Sequence, residues 1–119
     1  RIKGNSIRIR ITRSEVDQFC SEGYLEEKTF FNSGEFTYAL RVEGELLEFS
    51  ASLGKNNITL RLPKEMVEEW NTNTVVGFSN DMVLDNGDSL SLLLEKDFTC
   101  LENREEDQSD NYPNPKLVS

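Results

Sequence analysis

Carboxylates gather toward one end of this sequence. Asp97, Glu102, Glu105, Glu106, Asp107 and Asp110 are set against Arg104 alone until Lys116, and Tyr112 stands directly ahead of Pro113. Oxygen ligands at this density suit a hard cation such as magnesium or calcium, with Asp107, Asp110 and Glu106 as the candidate ligands. The spacing matches no calcium-loop motif, and the plainer reading is a solvated acidic tail. Docking is the third: the tail lies on a basic surface of its own chain, or Tyr112 and the rigid Pro113-Asn114-Pro115 serve as anchor and spacer for a protein partner.

A basic surface of that kind is legible at the other end. Between Arg1 and Arg13 there are five basic residues and no acid. Arg8 and Arg10 are two apart on an expected strand, so both side chains leave the same face, and Arg61 matches them in a second unit described below. Paired guanidinium groups suit a phosphate or another small anionic ligand, although outward arginines on a strand most often only solvate it. Gly4, Gly54 and Gly87 each fall in a turn, without the spacing of a phosphate-cradling loop.

Histidine is absent, which removes triad chemistry and His-ligated zinc. Cys20 and Cys100 are far apart without a paired spacing, so reduced thiols are expected. Cys20 shares a helix face with Val16 and reads as a small buried thiol. Nothing beside Cys100 argues for an activated thiolate. Asp81, Asp85 and Asp88 read first as turn formers.

The 119 residues include 13 Lys+Arg against 22 Asp+Glu, a formal charge of -9. That balance opposes nucleic-acid and anionic-membrane binding, both of which run on phosphate neutralisation by cations. No apolar run approaches the roughly 20 residues of a bilayer span, and no signal pattern is present, so a cytoplasmic location is expected. The chain starts at Arg1 rather than Met, and a few preceding residues are expected.

The elements that would position these groups follow from periodicity. Ser6 to Thr12 alternates three Ile with two Arg, the pattern of a half-buried strand, with Arg1-Ile2-Lys3 as partner across Gly4-Asn5. Ser14 to Glu22 has an acidic first turn, apolar Val16, Phe19 and Cys20 at helical spacing, and Gly23 as stop. Two more hairpins follow, Leu25–Phe31 with Phe36–Val42 and Leu46–Leu53 with Ile58–Leu62. Pro63 introduces a helix over Lys64–Trp70. Strands over Val75–Phe78 and Met82–Leu84 then lead through the Asp85-Asn86-Gly87-Asp88 turn to Ser89–Phe98.

The two halves repeat. A shift of 51 positions lays Ile7 on Ile58, Ile9 on Leu60, Arg10 on Arg61, Val16 on Val67 and Phe19 on Trp70. One such unit cannot bury its own apolar face, whereas two related by a pseudo-twofold can close a shared barrel.

Two resemblances bear on this. The stretch from Ala51 through the Leu62-Pro63-Lys64-Glu65 run to Trp70 resembles the strand-hairpin-strand-helix unit of AbrB-type swapped-hairpin proteins and their cradle-loop barrel relatives. That likeness covers about 30 residues and implies a barrel but not DNA binding, since this chain is acidic and carries both units in one polypeptide. The opening Arg-Ile-Lys-Gly-Asn-Ser-Ile-Arg-Ile-Arg, with Asp97-Phe98-Thr99-Cys100-Leu101 and the Glu106 to Pro115 ending, is similar along nearly its whole length to a small uncharacterised bacterial family. This second likeness implies a bacterial, cytoplasmic setting and no active site.

The sequence therefore predicts one α+β domain over 1–101, a mainly antiparallel, pseudo-symmetric β-barrel of two ββαββ repeats, about 1–43 and about 46–98, with two short helices. An acidic polar extension follows over 102–119. Fusion of both units favours a monomer. The expected function is a non-enzymatic binding or accessory module using Arg8, Arg10, Arg61 and Tyr112 to hold a protein partner or a small anionic ligand. It needs no cofactor, a divalent cation being the one candidate. The competing class is a metal-dependent or carboxylate-based enzyme with its site at the tail.

Overall fold

A computed structural model describes residues 1–98 and 108–113. Among them the elements run β1 (Ser6–Ile11), α1 (Arg13–Glu22), β2 (Tyr24–Phe31), β3 (Gly34–Glu43), β4 (Ser50–Gly54), β5 (Asn57–Pro63), α2 (Lys64–Val67), β6 (Gly77–Val83) and β7 (Ser89–Lys96). The described residues are thus α+β and mostly strand, with two helices.

Local chemistry accounts for these elements. Lys3 and Ser6 exchange backbone hydrogen bonds at 3.1 and 3.2 Å around Gly4, folding Arg1–Lys3 back so that Ile2 bridges Ile7. The expected partner strand is therefore a single bridge. Thr12 caps α1, ahead of the Ser14 start that the sequence suggests: its N–H and hydroxyl both donate to the Glu15 carboxylate, at 2.8 and 2.9 Å. The helix stops at Gly23, whose left-handed φ of 71° lets its N–H reach the Phe19 carbonyl at 2.8 Å.

The second helix is shorter than its sequence suggests. After one turn Glu69 takes a φ of 61°, and Trp70, Thr72 and Asn73 continue as turns hydrogen-bonded to Val67 and Glu69. A three-residue spacing such as Val67 to Trp70 is served by a tight turn as well as by a helix, which is why the pattern over-extended it. Pro63 caps α2 from outside rather than starting it. Likewise β4 starts only at Ser50, and the two short runs expected around residues 75–84 are one strand, β6.

The strands form two sheets, one in the order β1-β7-β6 and one in the order β2-β3-β5-β4. Three pairings are antiparallel (β2 with β3, β4 with β5, β6 with β7), and two, β1 with β7 and β3 with β5, are parallel. The parallel pairs join strands from opposite halves of the chain. The sheets do not close into a continuous barrel.

Between the sheets lies one apolar core. Ile9, Ile11, Leu92 and Leu94 of one sheet join Leu25, Leu40, Leu60 and Leu62 of the other, and Val16 and Phe19 of α1 with Val67 and Trp70 belong to the same buried cluster. Phe49, just ahead of β4, is fully buried with them. Alternation along the strands then sends Arg8, Arg10 and Arg61 outward.

Candidate functional site

Register decides what the arginines meet. In the parallel pairing Arg10 stands beside Glu95, and this one carboxylate takes Arg8 Nε at 2.6 Å and Arg10 Nε at 2.7 Å. Burial would raise the Glu95 carboxyl, but hydrogen bonds from Arg10 and Arg8 outweigh it and hold the group below its usual range. Both guanidiniums stay partly exposed, with Arg10 the more so. One carboxylate cannot neutralise two cations, so the face keeps a positive remainder. Arg1 joins them around a depression of about 180 Å³.

Arg61 lies on the other sheet, its Nε 3.1 Å from Glu43 and its Nη1 2.6 Å from the Ser52 hydroxyl. The structure therefore does not bring Arg61 to Arg8 and Arg10, and Tyr112 stands elsewhere again.

Next to the arginines is an apolar cleft that sequence reasoning missed. It measures about 300 Å³ and is walled by Ile7 and Ile9 of β1, Phe36 and Tyr38 of β3, and Ile58 of β5, with the arginines at its mouth. Its size is at the lower end of small-ligand sites, and apolar walls with a few polar groups are the usual make-up of such sites. β1 is the edge of its sheet, so past the Arg1 to Arg8 contact no strand covers it among the described residues. The alternation of the strands was the available signal, but which inner faces would be left uncovered depends on the pairing of strands distant in sequence.

Glu27 pairs across β2 and β3 with Tyr38, which is part of the cleft wall. Glu27 is raised above its usual range, first by burial, then by a hydrogen bond and repulsion from Glu15. Tyr38 is pushed up to about 12, first by burial and next by the charges of Glu15 and Glu27. Tyr38 therefore keeps its hydroxyl proton at neutral pH.

The described part of the tail is docked, at the start of α1. Asp110 reaches the Ser14 N–H at 3.3 Å and takes the Ser14 hydroxyl at its other oxygen, while the Arg13 N–H donates to the Asp110 carbonyl at 2.9 Å. Tyr112 donates its N–H to the Asp97 carbonyl at 2.8 Å. Its ring lies 5.7 Å from that of Phe98 and 4.9 Å from the Lys96 ammonium. Lys96 is only 4% exposed; it donates to the Asn73 carbonyl at 2.9 Å, and burial pulls its pKa down. Burial likewise pushes the Cys20 thiol up, so it behaves as a packed side chain, donating weakly to the Val67 carbonyl at 3.4 Å.

The docking surface is thus the start of α1 and the end of β7, whereas Arg8 and Arg10 are held by Glu95. As for a cation, Asp110 spends its oxygens on Ser14, and Asp107, Glu106 and Cys100 lie outside the described residues. No group of three or more acidic, Cys or His side chains fit for a metal occurs among the described residues, nor any helix long and apolar enough to cross a membrane.

Asp110 acts as a helix cap supplied from 96 positions away. The Ser14 hydroxyl, followed by the Thr12 side chain, holds its carboxyl below the usual range. A carboxyl whose pKa is lowered in the docked state contributes above its ordinary pKa and loses that contribution as pH falls through the lowered value. Asp110→Ala should accordingly speed hydrogen exchange at the Tyr112 amide by about tenfold at neutral pH, and the difference from the parent should shrink under acid conditions. Equal exchange at neutral pH would mean that the carboxylate does not hold the tail.

Neither a curated protein nor a solved structure matches the chain. A family model matches residues 1–116, and on that match the chain belongs to DUF7009, a family of unknown function.

Proposed function

We propose that this chain is a non-enzymatic binding module whose contact surface is the Arg8–Arg10 face of β1 and the apolar cleft beside it. The observation that carries the reading is the pairing of a cationic rim, Arg1, Arg8 and Arg10 around Glu95, with an uncovered cleft walled by Ile7, Ile9, Phe36, Tyr38 and Ile58. Such a site suits a group with an anionic head and an apolar body. The described tail has its own seat on α1 and leaves this face to something else.

The same reading treats the two sheets as halves of a pseudo-symmetric barrel. The bridge of Ile2 with Ile7 becomes, on a shift of 51, the pairing of Leu53 with Ile58. Val16 and Phe19 become Val67 and Trp70, all four buried. Each sheet draws strands from both halves, which supports that reading.

The test is calorimetric titration with octanoate, a carboxylate on an alkyl chain. Octanoate should bind, and Arg10→Gln, which leaves Arg8 on Glu95, should weaken it by about tenfold. An affinity unchanged in Arg10→Gln would remove the basic face from the site.

A further inference from the structure

The outer face of the four-stranded sheet carries a polar groove that shares no residue with the apolar cleft. Leu25, Leu40 and Leu60 occupy one row across β2, β3 and β5 and are buried in the core, so the row beside them, Glu26, Ala39 and Thr59, turns to the other side of the sheet. The next outward row is Lys28, Thr37 and Asn57. Ala39 stands among longer neighbours and is only 7% exposed although it belongs to this outer face, so Ala39, Thr37 and Thr59 form a floor of short side chains. Tyr24, Glu26 and Lys28 of β2 wall one side and Lys55 to Asn57 at the β4–β5 turn the other, around a volume of about 470 Å³.

Charge is divided across this groove. The Glu26 carboxylate takes the Tyr24 hydroxyl at 2.7 Å, a neutral donor, and that bond is the first cause of the raised Tyr24 pKa. The Arg41 guanidinium lies over the Tyr24 ring, 5.5 Å from its centre, and Lys28 lies 3.8 Å from Glu35. Among the described residues neither Glu26 nor Lys55 forms a salt bridge, which leaves one anion on the β2 wall and one cation on the opposite wall. The walls stand two strand spacings apart, about 10 Å. An extended peptide of three residues has about that length, at about 3.3–3.6 Å per residue.

We propose that this groove is a second binding site whose ligand is a short zwitterionic peptide of about three residues, its ammonium on Glu26, its carboxylate on Lys55 and its amides over the floor of Thr37, Ala39 and Thr59. The volume falls within the usual range for small-ligand sites. Threonine hydroxyls and the Asn57 amide offer both donors and acceptors to a peptide backbone, and the short Ala39 side chain lets that backbone lie close to the sheet. Charge-assisted bonds at both ends decide what binds, because a ligand with a single charge pairs with one wall only. An internal stretch of a protein chain has no charge at either end and forgoes both bonds.

The probe is trialanine, which carries both end charges and no other. Titrated into the labelled protein, it should shift the Ala39 and Thr59 amide resonances saturably, and Glu26→Gln and Lys55→Gln should each weaken it by about tenfold. Both side chains are exposed, so each variant should keep the parent's thermal midpoint. N-acetyl-trialanine, which lacks the ammonium, should bind the parent as weakly as trialanine binds Glu26→Gln, and should lose nothing further in that variant. Trialanine amide, which lacks the carboxylate, should stand in the same relation to Lys55→Gln. No saturable shift by trialanine, parent-like affinity in either variant, or equal binding of free and blocked peptides overturns the site. Octanoate has no cation for Glu26 and should leave these amides unmoved, so the groove and the cleft beside Arg8 and Arg10 stand or fail separately.

Discussion

Trp70→Ala should lower the thermal midpoint by about 12–20 °C, the shift expected for a loss of about 3–5 kcal/mol at roughly 4 °C per kcal/mol in a domain of this size. Trp70 is the largest fully buried side chain. Its ring stands 4.8 Å from that of Phe78, its Nε1–H donates to the Val75 carbonyl at 2.8 Å, and the Lys96 ammonium lies 5.7 Å above it. Truncation empties a space bounded by α1, β6 and β7, and takes from Lys96 one of the two aromatic faces against which it is buried. Trp70→Phe, which keeps most of the apolar contact, should cost far less. A fall below about 4 °C for the alanine variant, measured by calorimetry, would mean that Trp70 is not the wedge between these elements.

Trp70 also marks how far the sequence was readable. Its match with Phe19, and the match of Val67 with Val16, identified four core residues from spacing alone. The hairpin turns at residues 32–33, 55–56 and 85–88 were likewise legible, because Asn, Gly and Asp announce them locally. What spacing could not supply was the partner of each hairpin. The parallel pairs β1 with β7 and β3 with β5 are chosen by burial of both halves together, and nothing in a strand's own alternation names a neighbour 85 positions away, as Leu92 is from Ile7.

The candidate site was legible to the same limited degree. Arg8 and Arg10 were identified as a shared outward face, but Glu95 reads as one polar residue after a run of leucines until register sets it beside Arg10. The cleft between Ile9 and Tyr38 has no local signature at all, since its walls come from β1, β3 and β5, strands of two different sheets. Asp110 carried the residue type of a helix cap, yet the helix it caps begins almost a hundred positions earlier. Long-range pairing, not residue chemistry, separated what could be read from what could not.

Gly77 shows how tightly one such pairing is held, and its replacement is the second large effect. Gly77 pairs with Glu95 across β6 and β7, and a methyl group on it would fall 2.3 Å from the Leu94 carbonyl oxygen and 2.8 Å from the Glu95 Cα. Those atoms are backbone of a strand paired on both sides, so they have little freedom to yield. Gly77→Ala should cost about 3 kcal/mol, the upper part of the usual range for overpacking, and so lower the midpoint by about 12 °C. Gly44→Ala is the control: nothing lies within 4 Å of the added carbon, and the change should be neutral or slightly stabilising. Relief of the contact must push Glu95 away from β6, and Glu95 is the carboxylate that positions Arg8 and Arg10. Gly77→Ala should therefore weaken octanoate binding as well, measured at a temperature where the variant is still folded. Parent-like affinity in a destabilised Gly77→Ala chain would show that the arginine rim does not depend on the close approach of β6 to β7.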